Sequence, residues 1–315
     1  MYQPFSSFAS AQQGMTLLEL MISMTLGVII LLGLSGLLFS SSASYLLQDQ
    51  QAQVQETGRY ALDVLTRAVR QAGYRDPFNI EATISPQSSV RGLDARTLQR
   101  NTPALEPASS GVVNGSDVLA LRFAGDEAGG YATMFNCAGF GVPISHNEEE
   151  SRGWSIFFVA RDAAGEAELR CKYRTENGWN ADAIARGIES FQVLYGVEVN
   201  DGSSSLSYLS ASAIDALDAA AEPVDSGRGA RTSSHWHKVR MVRIALLVSG
   251  AADDGNAYRQ RQYDLFGSAY SAEFAAQDQG VRIVEEELPA SARYRFRTVF
   301  TQTIRLRNDP AGEVW

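Results

Sequence analysis

A single carboxylate lies inside a long apolar segment near the N-terminus. Residues 15–39 read MTLLELMISMTLGVIILLGLSGLLF, and Glu19 is the only charged residue among them. An ionisable side chain in a membrane-embedded helix is energetically costly, so such a residue usually has a function. The structural alternative is a carboxyl group near the interface that stays hydrated or protonated. Glu19 is thus the first candidate for a functional residue.

Two other groups of polar residues could bind a metal ion, but their patterns are incomplete. His235 and His237 would need ring nitrogens on the same side and a third ligand from elsewhere, so a loop that enters the next strand is the preferred interpretation. Residues 253–256 (DDGN) lack the remainder of an EF-hand loop and are interpreted as a hairpin turn. Neither group predicts a metal site.

The motifs of common enzymes are not found. Residues 139–141 (GFG) lack the third glycine of a dinucleotide-binding fingerprint. The sequence has no G-x-S-x-G motif, no phosphate-binding loop and no C-x-x-C pair. The acidic runs 148–150 and 285–287 are interpreted as solvated faces. We therefore expect no catalytic residue and no cofactor, and we do not expect an enzyme.

The composition sets further limits on function. The chain has 315 residues, of which 45% are hydrophobic and 20% are charged, which is typical of a globular protein. Its formal net charge is -9, and an acidic chain without a basic run is a poor candidate for binding nucleic acid. Only two cysteines, Cys137 and Cys171, are present, which excludes a cysteine-rich zinc or iron–sulfur scaffold.

The apolar segment 15–39 is long enough to cross a membrane. It would form a helix of about 37 Å, compared with about 30 Å for the hydrocarbon core of a bilayer. The alternatives are a signal anchor and a long secretory signal peptide. A cleaved secretory signal is disfavoured, because the segment is too long and lacks a clear small-residue cleavage site. We therefore expect one membrane-embedded helix.

This helix is predicted to continue to about residue 72. Small or apolar residues recur there at steps of three and four, the spacing of one helix face: Val54, Gly58, Ala61, Leu65, Ala68 and Ala72, with Leu62 and Val69 beside them. Arg59, Asp63 and Arg67 follow at four-residue spacing on the opposite side, where their charges can pair. Gly73, followed by Pro77, indicates the end of the helix.

The remaining chain is rich in strand patterns. Apolar or alternating runs occupy residues 118–123, 154–160, 168–174, 191–199, 239–248 and 293–307. The run 239–248 is apolar on both faces, which predicts a central strand. In the last run, Tyr294, Phe296, Phe300, Ile304 and Leu306 are predicted to share one face, and the intervening arginines the other. Residues 79–116 and 201–234 are predicted to be long loops, the second with a short helix around 211–221.

The N-terminal segment resembles the class III signal of type IV prepilins. The resemblance is carried by GMTLLE at residues 14–19, followed by about twenty apolar residues. In that family a peptidase cuts after the glycine and methylates the new N-terminus. The resemblance implies that residues 1–14 are a leader and that Gly14 and Met15 flank the processing site. It also implies that Glu19 sets the register between subunits by pairing with a neighbour's N-terminal amine.

Four further segments resemble the PilW family of minor pilins: residues 55–74, 188–196, 236–248 and 303–308, with 79–116 unmatched. The resemblance implies an α+β pilin-like fold, in which a long N-terminal helix packs on an antiparallel β-sheet head. The expected divisions are a leader (1–14), a transmembrane or filament-core helix (15–39), its amphipathic continuation (40–74) and a periplasmic β-rich head (75–315).

The function implied by this resemblance is that of a minor pilin that takes part in initiating type IV pilus assembly, in a complex at the pilus tip. Its expected partners are the prepilin peptidase, other minor pilins, the major pilin, a large tip adhesin and, before assembly, inner-membrane lipid. The expected location is the bacterial inner membrane, with one span and a periplasmic head, and then the pilus tip. Two alternatives are a minor pseudopilin of type II secretion and a single-span membrane-anchored receptor or enzyme.

The cysteines are expected to form a disulfide if the head is periplasmic, because that compartment oxidises thiols. Cys137 and Cys171 are the only possible intrachain pair. Alternation along residues 168–174 places Cys171 on the inward face of its strand, so two buried free thiols are the alternative. The disulfide is the favoured prediction.

Overall fold

The computed structural model describes residues 14–75, 88–144, 152–198, 206–220, 234–252 and 262–308. Of the predicted leader, only Gly14 lies among them. The predicted hairpin turn at 253–256 and the acidic run 148–150 lie outside the described residues.

The chain begins with one continuous helix, α1 (Leu17–Gln71), close to the predicted limits of 15 and 72. The chain divides into two compact units, Met1–Asp49 and Gln50–Trp315, and the helix contributes to both. In the first unit the large apolar side chains of the helix are exposed; Leu31, for example, is 64% exposed. In the second unit the helix has a buried face, which is part of the head.

The described part of the head contains fifteen strands and two short helices, α2 (Ala211–Ala220) and α3 (Ser268–Phe274). The strands are β1 (Val90–Leu93), β2 (Thr97–Leu98), β3 (Ala108–Ser109), β4 (Val118–Ala124), β5 (Glu127–Ala128), β6 (Tyr131–Ala132), β7 (Arg152–Arg161), β8 (Ala167–Thr175), β9 (Gly178–Arg186), β10 (Ile188–Glu198), β11 (Leu206–Leu209), β12 (Val239–Ala252), β13 (Gln262–Asp264), β14 (Arg282–Val284) and β15 (Arg295–Arg305).

Two antiparallel sheets form most of the head, where the sequence predicted one. Sheet I has the order β1-β4-β7-β8-β9, and sheet II has the order β11-β10-β12-β15. The chain passes from sheet I to sheet II at Gly187, whose φ of +78° favours glycine. Strand β12 is central in sheet II, as the apolar run 239–248 predicted, and it pairs with both β10 and β15.

The largest hydrophobic cluster joins the buried face of α1 to one face of each sheet. It includes Leu65 from the helix, Phe157 from sheet I and Tyr195 from sheet II, each at most 1% exposed. The opposite face of each sheet has a smaller cluster of its own, with Ile156 in sheet I and Leu247 in sheet II. Both sheets are thus covered on two sides, which is why their strands are apolar on both faces.

The predicted apolar stripe of the helix is confirmed. Val54, Ala61, Leu65, Val69 and Ala72 are at most 1% exposed. Gly58 is also buried, and a Cβ atom at this position would lie 2.5 Å from Cε2 of Phe300 in β15. The small residues of this face therefore allow a close approach between the helix and sheet II. On the exposed side, Arg67 and Asp63 form an ion pair of 2.6 Å.

The C-terminal end of α1 is capped by a residue that follows β15. Gly73 has a φ of +75°, which agrees with the predicted glycine stop. The side-chain amide of Asn308 donates to the carbonyl oxygens of Arg70, Gln71 and Ala72 at 3.2, 3.4 and 3.2 Å. Carbonyl groups at a helix end lack partners within the helix, so Asn308 acts as a cap from more than 230 positions away. The Gln71 carbonyl oxygen also accepts from the Tyr74 N–H at 3.1 Å.

Three sequence predictions in the head are wrong in part. Residues 79–116 contain β1, β2 and β3, and β11 begins the second predicted loop; α2 confirms the short helix there. Tyr294 does not share the strand face, because its φ of +67° ends the preceding turn and leaves the side chain 55% exposed. Glu285 is not part of a solvated face, because it is only 7% exposed.

Several charged side chains are buried because other segments cover the outer faces of the sheets. Arg297 is buried and donates to Glu189 at 2.6 Å and to Glu285 at 3.3 Å. Lys172 is fully buried between Thr102, whose hydroxyl lies 3.2 Å from Nζ, and the ring of Trp179. Burial lowers the pKa of Lys172 to about 8.

Candidate functional site

The predicted processing and assembly residues lie together at the start of α1. Gly14, Met15 and Thr16 precede the first helical residue, and Glu19 lies in the first turn. The backbone N–H and the hydroxyl of Thr16 donate to Oε2 of Glu19 at 3.0 and 3.1 Å. In return, the N–H of Glu19 donates to the Thr16 hydroxyl at 3.3 Å. This reciprocal pattern is a capping box.

The capping box fixes the Glu19 carboxylate beside the N-terminal end of the helix. A helix N-terminus attracts negative charge, and its first N–H groups need acceptors. Thr16 therefore positions Glu19, although the sequence reasoning did not single it out. The signal was present as the spacing T-x-x-E at residues 16–19, which is the sequence signature of this cap.

The peptide bond between Gly14 and Met15 lies just outside the helix. Met15 is 72% exposed, and no heavy atom approaches within 4 Å of a Cβ placed on Gly14. An extended, exposed segment can enter a protease active site, whereas a helical one must first unwind. The bond between Gly14 and Met15 is therefore sterically accessible.

The helix after this cap has the properties of a membrane span. Among the described residues, Leu17–Ser42 is the one segment long and apolar enough to cross a bilayer. Gly27, Gly33 and Gly36 have open space where a Cβ would lie. Ser23 and Ser35 donate their hydroxyl groups to carbonyl oxygens four residues earlier, both at 2.7 Å, so these polar groups are satisfied within the helix.

The predicted disulfide is confirmed. Cys137 and Cys171 are bonded, with their Cα atoms 5.9 Å apart. Cys171 lies in β8 and is fully buried, as its alternation predicted. Cys137 belongs to the connection between β4 and β7, so the bond fastens that connection to sheet I.

The two histidines are placed by a short 3-10 helix, His235–Lys238, which leads into β12. Nδ1 of His235 lies 2.7 Å from Asp218 at the end of α2. Burial opposes ionisation of Asp218, but hydrogen bonds from the His235 N–H and the Ser234 hydroxyl lower its pKa overall. Within the described ranges, no group of three or more His, Cys, Asp or Glu side chains could hold a metal ion.

Two family models match parts of this chain. The model of the family described as type IV pilus-assembly protein W (PilW) matches residues 156–308, and the model of the prokaryotic N-terminal methylation motif matches residues 9–35. Among solved structures, a type IV-like pilin from Thermus thermophilus is 15% identical, with a TM-score of 0.35, over 83% of this chain and 96% of that one. No curated protein matches the sequence significantly.

The methylation motif, the apolar helix and the antiparallel head define a type IV prepilin with an α+β fold. More narrowly, the two family-model matches support a PilW-type class III prepilin and a minor pilin in pilus assembly. The similarity to pilins implies two kinds of partner, the prepilin peptidase that processes the motif and other pilins. The apolar helix fits membrane anchoring followed by incorporation into a pilus.

Proposed function

We propose that this minor pilin helps to start pilus assembly as one member of a complex of minor pilins at the pilus tip. The observation that carries the proposal is the size of the head built on the second half of a pilin helix. About 240 residues follow Tyr74, and two sheets are needed to pack them. A subunit repeated along a shaft is better served by a compact head, whereas a large head can make specific contacts at a position used once.

The mechanism is assembly by non-covalent contacts, without enzymatic chemistry or a cofactor. A single span holds the precursor in inner-membrane lipid, with its head in the periplasm. After cleavage between Gly14 and Met15, the helix leaves the lipid and packs among the helices of neighbouring pilins. Glu19 then meets the N-terminal amine of an adjacent subunit, which sets the axial position of the two chains. A large tip adhesin is the partner expected beyond the minor pilins.

Each subunit in such a stack presents different upper and lower surfaces. Contacts of this heterologous kind do not close on themselves, so the series can continue into a filament. A tip complex can therefore act as the first layer on which the major pilin adds.

Deletion of the gene tests this function. Surface pili should decrease strongly while the major pilin accumulates in the membrane, and a block of pilus retraction should restore some fibres. Secretion of exoproteins should stay normal. Normal piliation with failed secretion would instead identify a minor pseudopilin of type II secretion.

N-terminal sequencing of the membrane-extracted protein separates both assembly functions from a membrane-anchored receptor or enzyme. A pilin or pseudopilin should start at a methylated Met15. A chain that keeps residues 1–14 in the presence of the peptidase would contradict the proposal.

A further inference from the structure

The connection between β4 and β7 exposes three aromatic side chains. We call residues 125–143 the aromatic loop. Tyr131, Phe135 and Phe140 are 80%, 51% and 54% exposed. Several large apolar side chains exposed on one connection indicate a surface that can bind a partner.

The aromatic loop is held in one conformation at its centre. The Cys137–Cys171 bond joins it to β8, and the N–H of Cys137 donates to the Ser155 hydroxyl at 3.0 Å. The side-chain oxygen of Asn136 accepts from the N–H groups of Ala138 and Phe140 at 3.0 and 3.1 Å. These contacts fix the backbone that carries Phe135 and Phe140, so little conformational entropy is lost when a partner binds.

The same loop is attached to the C-terminal end of α1. The Gln71 side chain donates to the carbonyl oxygen of Phe135 at 2.8 Å, and the Tyr74 hydroxyl donates to Asp126 at 2.9 Å. The hydrogen bond from Tyr74, with a second from Thr133, lowers the pKa of Asp126. Asp126 is therefore ionised at neutral pH, and the loop is positioned by the helix end as well as by sheet I.

Beside Phe140 lies an open cleft of about 780 Å³, which Phe140, Tyr173 and Trp154 help to line. Phe140 stacks on Tyr173 with a centroid distance of 5.1 Å. The exposed Phe140 ring thus stands next to a concavity that can receive a side chain of a partner. Aromatic side chains beside a pocket are the usual centre of a protein–protein interface.

The charge of this region indicates what kind of surface it fits. The aromatic loop contains Asp126 and Glu127 but no Lys or Arg. The cleft beside it is lined by one basic and one acidic residue, Arg174 and Glu176, so the surface is acidic overall. A partner with an apolar centre and a basic rim would be complementary, and an acidic partner would be repelled.

We propose that the aromatic loop docks onto the head of a neighbouring pilin subunit, at an apolar surface with a basic rim. This inference rests on the proposed function, because it identifies the surface through which the head joins other pilins. Tyr131, Phe135 and Phe140 supply the apolar contact, and Asp126 and Glu127 supply the charge.

Photo-crosslinking in cells tests the identity of the partner. The full-length chain carries p-benzoylphenylalanine in place of Tyr131, Phe135 or Phe140, one position at a time, and Tyr294 is the matched control because it is 55% exposed at a different place in the head. We expect crosslinks from the loop positions to another chain that carries a class III signal, at peptides rich in Lys or Arg. Crosslinks only to glycan, lipid or non-pilin protein, or equal crosslinks from Tyr294, would overturn the proposal.

Substitution tests the energetic role of the loop. The variant that combines Tyr131→Ser, Phe135→Ser and Phe140→Ser should lower the amount of this pilin in sheared pili by about tenfold or more. Glu127→Lys should lower it by about two- to fivefold, and Tyr294→Ser should leave it unchanged. Alkylation of the unreduced, unfolded variants should label neither cysteine, which shows that the head still forms its disulfide.

The outcome separates this inference from the proposed function. If gene deletion abolishes piliation while the folded triple variant enters pili normally, the docking surface is wrong and the function stands. If deletion leaves piliation normal, the proposed function itself fails. If the triple variant is degraded or lacks the disulfide, Tyr131→Ser alone replaces it, because the Tyr131 ring is the most exposed of the three. Normal incorporation of that single variant, together with no crosslink from position 131, would also overturn the proposal.

Discussion

The two halves of α1 have different surfaces and therefore need different partners. In the segment Leu17–Ser42 most positions are apolar and their side chains are exposed, and its glycines face open space. From Val54 to Ala72, by contrast, apolar residues follow one face, and that face is buried by the sheets of the head. Arg67 and Asp63 occupy the exposed side of the second half.

This difference shows how one helix can lie in an apolar environment along its first half and face water along its second half. The first half has no polar face, so it can be stable only in lipid or among apolar helices of other subunits. The second half obtains its apolar partner from its own chain and can face water on the opposite side. Substitutions of the same residue type in the two halves should thus affect different properties, the first assembly and the second head stability.

The largest effect is expected at the processing site. Gly14→Ala should block leader removal, because the peptidase of this family recognises the glycine, and the precursor should remain in the membrane. Mass spectrometry of the extracted protein should then detect residues 1–14 still attached. Gly27→Ala is the matched control in the apolar half and should be processed normally. Normal cleavage of the Gly14 variant would contradict the assignment of the site.

A large effect on incorporation is expected at Glu19. Glu19→Ala should preserve cleavage and head folding but reduce the amount of this pilin in sheared pili. Two further variants separate charge from capping. Glu19→Gln keeps a side chain that can complete the capping box but loses the charge. Thr16→Val loses the two hydrogen bonds of the Thr16 hydroxyl, and it keeps the charge and the bond from the backbone N–H of residue 16. If Glu19 pairs with an amine, the Gln variant should fail and the Val variant should assemble at least in part. The reverse result would show that the cap, and not the charge, is required.

The next largest effect is expected from truncating a leucine in the second half of α1. Leu65 is fully buried, so Leu65→Ala should lower the free energy of unfolding of the head by about 2–5 kcal/mol. Leu31 belongs to the same helix and is 64% exposed, so Leu31→Ala should leave head stability unchanged. Urea unfolding of the detergent-solubilised chain, followed by tryptophan fluorescence, measures both. Equal losses of unfolding free energy in the two variants would contradict the inference that only the second half of α1 stabilises the head.

Local sequence patterns predicted the features whose interacting residues are close in sequence or have few alternatives. The stripe from Val54 to Ala72 repeats with the helical period, and it was found buried as expected. The pairing of Cys137 with Cys171 followed from there being no other cysteine. The capping box of Thr16 and Glu19 was not predicted, although its signature T-x-x-E lies within one turn.

Contacts between distant segments could not be predicted in the same way. Alternation places Arg297 opposite the core face of β15, but it does not reveal that Glu189 and Glu285 cover that side. Lys172 likewise faces away from Cys171, and its burial depends on the segment around Thr102. The split into two sheets depends on Gly187, whose conformation has no signal in strand periodicity.

A moderate effect is expected where the helix touches sheet II. Alanine is favoured over glycine in a helix by about 1 kcal/mol, so Gly58→Ala would be stabilising if space were available. Because its Cβ would meet the Phe300 ring at 2.5 Å, we expect a net loss of about 1–2 kcal/mol in unfolding free energy. Gly33→Ala, in open space, should not change head stability. Combining Gly58→Ala with Phe300→Leu should recover part of the loss, and strict additivity of the two changes would argue against a clash.

The smallest effect is expected at the cap formed by Asn308. Its amide is the hydrogen-bond donor for the carbonyl oxygens of Arg70, Gln71 and Ala72. Asn308→Ala should lower the free energy of unfolding by about 1 kcal/mol, the usual worth of such a hydrogen bond, and should speed amide hydrogen exchange in the last turn of α1. Asn308→Asp removes the donor and places a negative charge at the negative end of the helix dipole, so its loss should be larger at neutral pH and should diminish as the carboxyl group is protonated in acid. Equal, pH-independent losses in the two variants would mean that Asn308 contributes by packing and that the end of the helix is set by Gly73 alone.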